Sequence, residues 1–223
     1  AYINPISSHL EIELNNRQNK LGVSSGNAVW QCSMDWMLNK DFRISGNLLI
    51  DEFVFDKIEI DSGRTHGLSM SFKGSWTPIK EKNIIDIYSS FVYCGSNTFR
   101  HEIGSNNFVQ RGLPIGYSLG SDFLVTNVGF QFYNMKNIFI KMDIRLIETG
   151  SSSILHTPYQ PYESYGGGTF LNGKANRKSF FKIDLMYWIK KDIQIFGDIN
   201  YSVSNIEEND FNIKIGFDKF FKL

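Results

Sequence analysis

Strict alternation of apolar and polar side chains limits the fold of this sequence most, and it is clearest over residues 137–146. One set of alternate positions there is apolar: Ile138, Ile140, Met142, Ile144 and Leu146. The positions between them are largely charged: Phe139, Lys141, Asp143 and Arg145. Because side chains alternate faces along a β-strand, this stretch predicts a strand with one apolar and one charged face. A soluble sandwich exposes the charged face to water, whereas a transmembrane barrel turns the apolar face to lipid and the charged face to a wet lumen.

The same period of two predicts about ten strands along the chain. They cover residues 8–14, 28–38, 42–55, 67–76, 83–93, 122–133, 137–146, 178–189, 192–205 and 210–220. Most reach the length of about 9–11 residues that a tilted strand needs to cross the hydrocarbon layer. Short and long links alternate between them, and the longest links are 95–121 and 148–177. Outer-membrane barrels have this arrangement, with tight periplasmic turns and long external loops, so we expect an antiparallel up-and-down transmembrane β-barrel.

Composition is consistent with one such domain over residues 1–223. The 19 Phe and 10 Tyr residues suit half-buried strands. Lys plus Arg and Asp plus Glu both number 23, so no basic excess points to a nucleic-acid partner. No run of 18 apolar residues occurs, which excludes a transmembrane helix. A membrane barrel remains compatible with these numbers, because lumen-facing residues dilute its hydropathy.

Aromatic residues collect near the predicted strand ends, where the interfacial girdles of a barrel would lie. They are Trp76, Tyr93, Tyr133, Trp188, Phe220 and Phe221. The aromatic-rich end of the chain, residues 217–223, is similar to the closing strand of an outer-membrane protein, although it ends in Leu223 rather than Phe. Cys32 and Cys94 are expected either to form one disulfide or to be free buried thiols, and their spacing does not suit a metal site.

Three stretches resemble the Wzi family of capsule-assembly barrels. They are NLLIDEFVFD (47–56), with its paired acids, the Gly-rich RGLPIGYSLGSD (111–122), and NPISSHLE (4–11). The resemblance implies an outer-membrane β-barrel of a Gram-negative bacterium, taking part in the assembly or surface attachment of capsular or extracellular polysaccharide. Members of the family have more strands than this chain. We therefore expect either the C-terminal part of a longer barrel or a smaller barrel that closes alone.

Charged residues share the predicted lumen side of the strands. They are Arg43, Lys73, Asp86, Lys141, Asp143, Arg145, Lys182, Asp184, Asp198, Lys214 and Asp218. They could line a polar conduit or a carbohydrate-facing surface. Alternatively, the mixed charges pair across neighbouring strands and fill a narrow interior, as side chains do in small barrels. The near balance of signs argues against a strongly ion-selective pore.

The two longest loops carry the candidate ligand-binding residues. In the first loop these are Arg100, His101, Arg111 and Tyr117, and in the second they are Tyr159, Tyr162 and Tyr165. A loop folded inward could constrict the lumen or bind polysaccharide, with tyrosines stacking on sugar rings and Arg111 binding acidic sugars. The alternative is an ordinary surface loop whose glycines supply turns.

Catalysis has little support in the sequence, because the four histidines are scattered and no nucleophile, metal or phosphate-loop motif accompanies them. We therefore expect a protein that is not an enzyme and needs no cofactor. The predicted partners are outer-membrane lipid, surface polysaccharide and other outer-membrane or periplasmic proteins. A porin-like channel for small solutes is the second hypothesis, and an outer-membrane hydrolase is the third.

Overall fold

β-strands contain most of the residues that a computed structural model describes, namely 29–52, 54, 57–61, 65–101, 103–160 and 170–220. The strands are β1 (Trp30–Met37), β2 (Phe42–Glu52), β3 (Gly67–Lys80), β4 (Asn83–Cys94), β5 (Val109–Gln110), β6 (Leu113–Pro114), β7 (Phe123–Asn134), β8 (Ile138–Thr149), β9 (Asn176–Lys190), β10 (Ile193–Ser204) and β11 (Asp210–Lys219). A five-residue helix, α1 (Lys57–Asp61), follows β2, and a 3-10 turn lies at Gly104–Asn106. Among the described helices, none has the length and apolar character needed to span a membrane.

The predicted all-β class is confirmed, and the long strands lie within a few residues of their predicted bounds. The predicted strand at 8–14 lies outside the described residues. Neither α1 nor the β5–β6 hairpin was predicted, because two-residue strands and a single helical turn are too short to show a period.

The nine long strands form one antiparallel sheet in the order β1-β2-β3-β4-β7-β8-β9-β10-β11. Each long strand therefore pairs with the next long strand in the chain, while β5 and β6 form a separate hairpin. Tight turns follow β1, β3, β7 and β9, as predicted. In the first of them the Asn39 side chain accepts hydrogen bonds from the amides of Asp41 (2.8 Å) and Phe42 (2.9 Å), which closes the turn locally.

One surface of the sheet, the apolar face, carries hydrophobic side chains on every long strand. The register joins Val128, Ile144 and Phe181 in one row, and Ile195 and Phe217 in another. Most of these residues are exposed; Ile144 is 55% exposed and Ile215 is 80% exposed. No second layer covers this face within the described part of the chain, so its apolar side chains are not the core of a sandwich there.

The opposite surface, the polar face, carries the predicted lumen-side charges. One row joins Asp86, Gln131, Lys141, Asp184, Asp198 and Lys214. The neighbouring rows contain Arg43, Asp143 and Lys182, and then Lys73 and Arg145. Asp218 lies on this face opposite Gln194. The sequence prediction that these residues share one face is confirmed.

Tyr133 and Trp188 lie on the polar face, which corrects their predicted place in an outward girdle. Tyr133 pairs with Phe139 and lies two residues after Gln131, and Trp188 pairs with Gln194 and lies four residues after Asp184, so both share the face of the charged rows. Trp76 and Tyr93 do lie on the apolar face. The prediction considered only the position along each strand and not the side on which the ring projects.

The sheet is open in the described part of the chain. β1 pairs only with β2 there, and β11 pairs only with β10. Because nine strands alternate in direction, β1 and β11 run the same way. The predicted closure into a barrel is therefore not observed among these residues.

Candidate functional site

The two longest loops fold back onto the polar face and form what we call the cap, residues 95–121 and 150–160. At this end of the sheet the polar face becomes apolar, because Val92, Cys94, Phe123, Val125 and Ile147 occupy positions that are charged or polar elsewhere. The loop side chains that pack on them are Phe99, Phe108, Val109, Leu119 and Ile154. Phe123 and Ile154 are fully buried, and each contributes about 1.5–3 kcal/mol by leaving water.

Asp122 joins the cap to the sheet. Its carboxylate is completely buried and accepts hydrogen bonds from the Ser96 hydroxyl (2.7 Å), the Ser152 amide (3.0 Å) and the Asn172 amide (3.1 Å). Gly150 packs so closely that a Cβ there would lie 2.0 Å from Asp122 Oδ2. One side chain thus holds both loops at the start of β7. Sequence reasoning missed this role, because a lone Asp before a strand has no distinctive pattern.

Arg100, a predicted polysaccharide contact, instead holds the two cap loops together. It is 2% exposed, and its guanidinium donates to the carbonyl oxygens of Ser152 (2.9 Å), Thr157 (3.1 Å) and Gln160 (3.1 Å). A buried arginine with these partners is not accessible to a polymer outside. We therefore assign Arg100 a structural role in the cap in place of the predicted contact with polysaccharide.

Asp51 provides a third attachment, because its carboxylate accepts the amide of Phe99 at 2.6 Å. Phe99 has a positive φ of 70°, which costs a non-glycine residue free energy and persists only where neighbouring contacts hold it. A register shift between Ile50 and Glu52 accompanies this contact at the end of β2. In the sequence, Asp51 stood out only as one of the paired acids within residues 47–56.

The other predicted loop residues lie in or around the β5–β6 hairpin of the cap. Arg111 is exposed, and the amide of Gly112 beside it donates to the Tyr159 hydroxyl at 3.2 Å. Tyr117 is 39% exposed and stacks on Phe123, with ring centroids 4.8 Å apart. The structure thus brings Arg111 and Tyr159 together and supports the Tyr117 ring on Phe123.

Of the remaining predicted ligand residues, two fall outside the described residues, and the side chain of the third, His101, forms a hydrogen bond within its own loop. Tyr162 and Tyr165 lie in the undescribed range 161–169. His101 is half-buried, and its Nδ1 accepts the Ile103 amide at 2.9 Å. His101 therefore stabilises the local conformation of the loop, and it is less exposed to solvent than Arg111.

The centre of the polar face is a network built around Asp143. The Tyr88 hydroxyl donates to this carboxylate, Lys141 Nζ lies 3.1 Å from it, and the Asn127 amide donates at 3.5 Å. Tyr88 reaches Asp143 across β7 because Gly129 lies between them; a Cβ at Gly129 would be 2.2 Å from the tyrosine ring. The glycine therefore allows two strands that are not neighbours to be joined.

Two further ion pairs form in different ways. Arg43 pairs with Asp35 across neighbouring strands, as the interior-filling alternative expected. Lys182 instead pairs with Asp184 on its own strand at 2.9 Å. Arg145 lies beside Lys182 in a cleft of about 300 Å³, and no carboxylate in the described residues lies within 4 Å of its guanidinium.

The two cysteines are not bonded to each other. Cys94 is buried under the cap, whereas Cys32 is exposed on the apolar face. The disulfide alternative is therefore wrong, and the expectation of buried free thiols holds for Cys94 only.

The described residues contain no cluster of three or more His, Cys, Asp or Glu side chains that could hold a metal ion. The His66 ring accepts the Val54 amide at 3.1 Å, far in sequence from the cap histidines. No protein-family model matches the chain, and neither does any curated protein or solved structure.

Proposed function

We propose that this chain forms the wall and cap of a Wzi-like outer-membrane β-barrel of a Gram-negative bacterium, which holds capsular or extracellular polysaccharide at the cell surface. The observation that carries the proposal is the pair of opposed faces. The apolar side chains are exposed over all nine long strands, while the charged side chains lie on the opposite face.

The size of the apolar face favours lipid over water as its surroundings. Nine strands at about 4.8 Å spacing are roughly 40 Å wide, and eight residues per strand extend roughly 25 Å, which gives roughly 1,000 Å². The largest apolar patch on a typical soluble monomer is about 300–600 Å². A face of this size fits the band of about 25 Å that a membrane barrel turns to lipid.

In the proposed barrel the polar face lines the lumen, and the two open edges are completed by further strands. An odd number of up-and-down strands leaves β1 and β11 parallel, so one additional strand, or another odd number, permits antiparallel closure. The short turns then face the periplasm and the cap faces outward. This completion agrees with either expectation from the sequence, a ten-stranded barrel or part of a larger one.

The cap favours a glycan-holding barrel over an open porin. Its apolar contacts and its polar attachments at Asp51 and Asp122 fix it against the polar face of the sheet, and Arg100 joins its two loops. A loop attached in this way obstructs passage of solutes. Arg111, Tyr117 and Tyr159 remain accessible on its outer side, where an arginine can bind a carboxylate and the tyrosine rings can stack on sugars.

Replacement of the outward residues tests the proposal. We expect Arg111→Ala or Tyr117→Ala to reduce polysaccharide retained on the cell surface, measured by capsule staining, while the amount of folded barrel stays unchanged. Arg177→Ala is the matched control, because Arg177 is also exposed at the long-loop end but pairs with Glu148 at 2.6 Å on the wall. Retention that equals the control in both variants would contradict the proposed role of the cap.

A further inference from the structure

A second group of aromatic and basic residues lies on the polar face, at the end opposite the cap. Tyr133 and Trp188 project there near the ends of β7 and β9, as the register requires. Lys190 is the last residue of β9, while Lys136 and Lys191 belong to the turns that follow β7 and β9. Together with Asn137 and the exposed Ile189, they line a cleft of about 410 Å³, which we call the rim cleft.

The rim cleft carries basic residues alone, whereas the rows in the middle of the polar face contain both acidic and basic residues. Lys141 and Lys182 each have a carboxylate within about 3 Å. In contrast, none of the three rim lysines has a carboxylate within 4 Å among the described residues, and no acidic side chain lines the cleft. Three lysines thus line one cleft that has no acidic residue in its lining, an arrangement that favours an anion.

The aromatic residues restrict the kind of anion. Tyr133 is 38% exposed and Trp188 is half-buried, so each ring presents a surface with a polar tip beside the lysines. The face of a sugar ring is apolar enough to stack on such a surface, while its hydroxyl groups bond to neighbouring polar atoms. The cleft volume also falls within the range of about 300–1,000 Å³ that is usual for small-ligand sites.

Lipid headgroups are the competing anions, and the direction of the rings argues against them. Aromatic residues that contact lipid in a barrel project from its apolar face, as Trp76 does in this sheet. Tyr133 and Trp188 project from the opposite face.

We propose that the rim cleft binds the carboxylated sugars of an acidic polysaccharide, with Trp188 and Tyr133 stacking on a uronate ring and Lys190, Lys191 and Lys136 binding its carboxylate. The inference rests on the proposed function and specifies its ligand class. It also assigns a second binding position on the lumen side, at the proposed periplasmic end.

The experiment uses the detergent-solubilised full chain and oligogalacturonate as the probe, with neutral dextran oligomers as the comparison. Binding is measured by isothermal titration calorimetry at low and high salt. Lys190→Gln/Lys191→Gln should weaken oligogalacturonate binding about tenfold, since two exposed charge contacts together contribute that order of affinity. Lys40→Gln/Lys82→Gln is the matched control, because it removes the same charge from two other short turns at the same end.

A second pair of variants tests stacking without altering charge. Trp188→Leu should weaken binding of oligogalacturonate, whereas Trp76→Leu on the apolar face should not. Added salt should weaken binding to the wild-type chain but have little effect on Lys190→Gln/Lys191→Gln.

The outcomes separate this inference from the proposed function. If the wild-type chain binds neither oligomer, both the glycan function and the rim cleft are contradicted. If it binds oligogalacturonate and the rim variants match their controls, only the rim cleft is contradicted. If the lysine variant instead loses binding to phosphatidylglycerol vesicles and keeps oligogalacturonate, the cleft is a lipid site and the inference is overturned.

Discussion

Substitution of a lysine for Ile144 separates a lipid-facing sheet from a water-facing one. Ile144 lies near the middle of β8 on the apolar face, between Val128 and Phe181, and is 55% exposed. In water an exposed position of this kind tolerates lysine with a change within about 0.5 kcal/mol. At the midplane of a bilayer the same change in a barrel costs about 2–4 kcal/mol. The two environments therefore predict clearly different losses of unfolding free energy.

Ile138 is the matched control for depth. It has the same side chain, strand and face as Ile144 but is the first residue of β8. Six residues at about 3.4 Å per residue separate the two positions by about 20 Å along the strand. With a tilt of about 40°, this is about 15 Å along the membrane normal, so Ile138 lies near an interface, where lysine costs about 0–1 kcal/mol.

The assay is urea unfolding of the full chain after insertion into phospholipid vesicles. We expect Ile144→Lys to lower the free energy of unfolding by at least about 2 kcal/mol more than Ile138→Lys. Equal and small losses in both variants would mean that the apolar face does not meet lipid, and would refute the membrane proposal. Arg145→Gln, on the polar face beside Ile144, should cause little loss.

Three further outcomes are expected from described contacts. Tyr88→Phe removes the hydroxyl that donates to Asp143 and should lower the free energy of unfolding by about 2 kcal/mol, measured by urea titration. Asp122→Ala leaves two buried amides without their acceptor and should weaken attachment of the cap by about 3 kcal/mol, seen as faster proteolysis within 95–121 while the wall stays protected. Cys32 should react with a lipid-soluble maleimide in the folded chain, whereas Cys94 should react only after unfolding.

Each of these outcomes has its own control. Tyr201→Phe removes the hydroxyl of a tyrosine on the apolar face, and we expect it to lower the free energy of unfolding by less than Tyr88→Phe does. Asp192→Ala removes an exposed carboxylate at the short-turn end and should leave the cap as resistant as in the wild type. Similar labelling of both cysteines in the folded chain would contradict the buried position of Cys94.

The nine long strands of the wall could be predicted from the sequence, because the alternation of apolar and polar side chains is a property of each strand by itself. The alternation within each strand shows which of its residues share a face, and strand pairing keeps the polar residues of neighbouring strands on the same side of the sheet. Arg43, Lys141 and Asp198 could therefore be assigned to one face without knowledge of which strands are neighbours. Closure of the sheet depends instead on what pairs with the outer edges of β1 and β11, and the residues of a strand do not specify its partner. The class and order of the strands were therefore predictable, whereas closure was not.

The cap was harder to predict because its contacts join residues far apart in the chain. Arg100 and Arg111 are both loop arginines, yet one is buried by carbonyl oxygens from the second loop and the other is exposed. One signal was present in the sequence: Val92, Val125 and Ile147 interrupt the polar alternation near the loop ends of three strands. Apolar residues on the polar face of the sheet are expected to be buried by other parts of the chain, and the two cap loops bury them here.

The three zones of the polar face bear on how the proposed barrel would hold a polymer without being an open pore. The rim cleft offers lysines and aromatic rings at one end, the centre contains the Asp143 network and the Lys182–Asp184 ion pair, and the far end is covered by the cap. If attachment of the cap at Asp122 keeps the path closed, the wild-type barrel in a planar bilayer should show little current, and Asp122→Ala should increase its conductance. An equally open pore in both proteins would favour the porin-like hypothesis, because the cap would then lie beside the path and not across it.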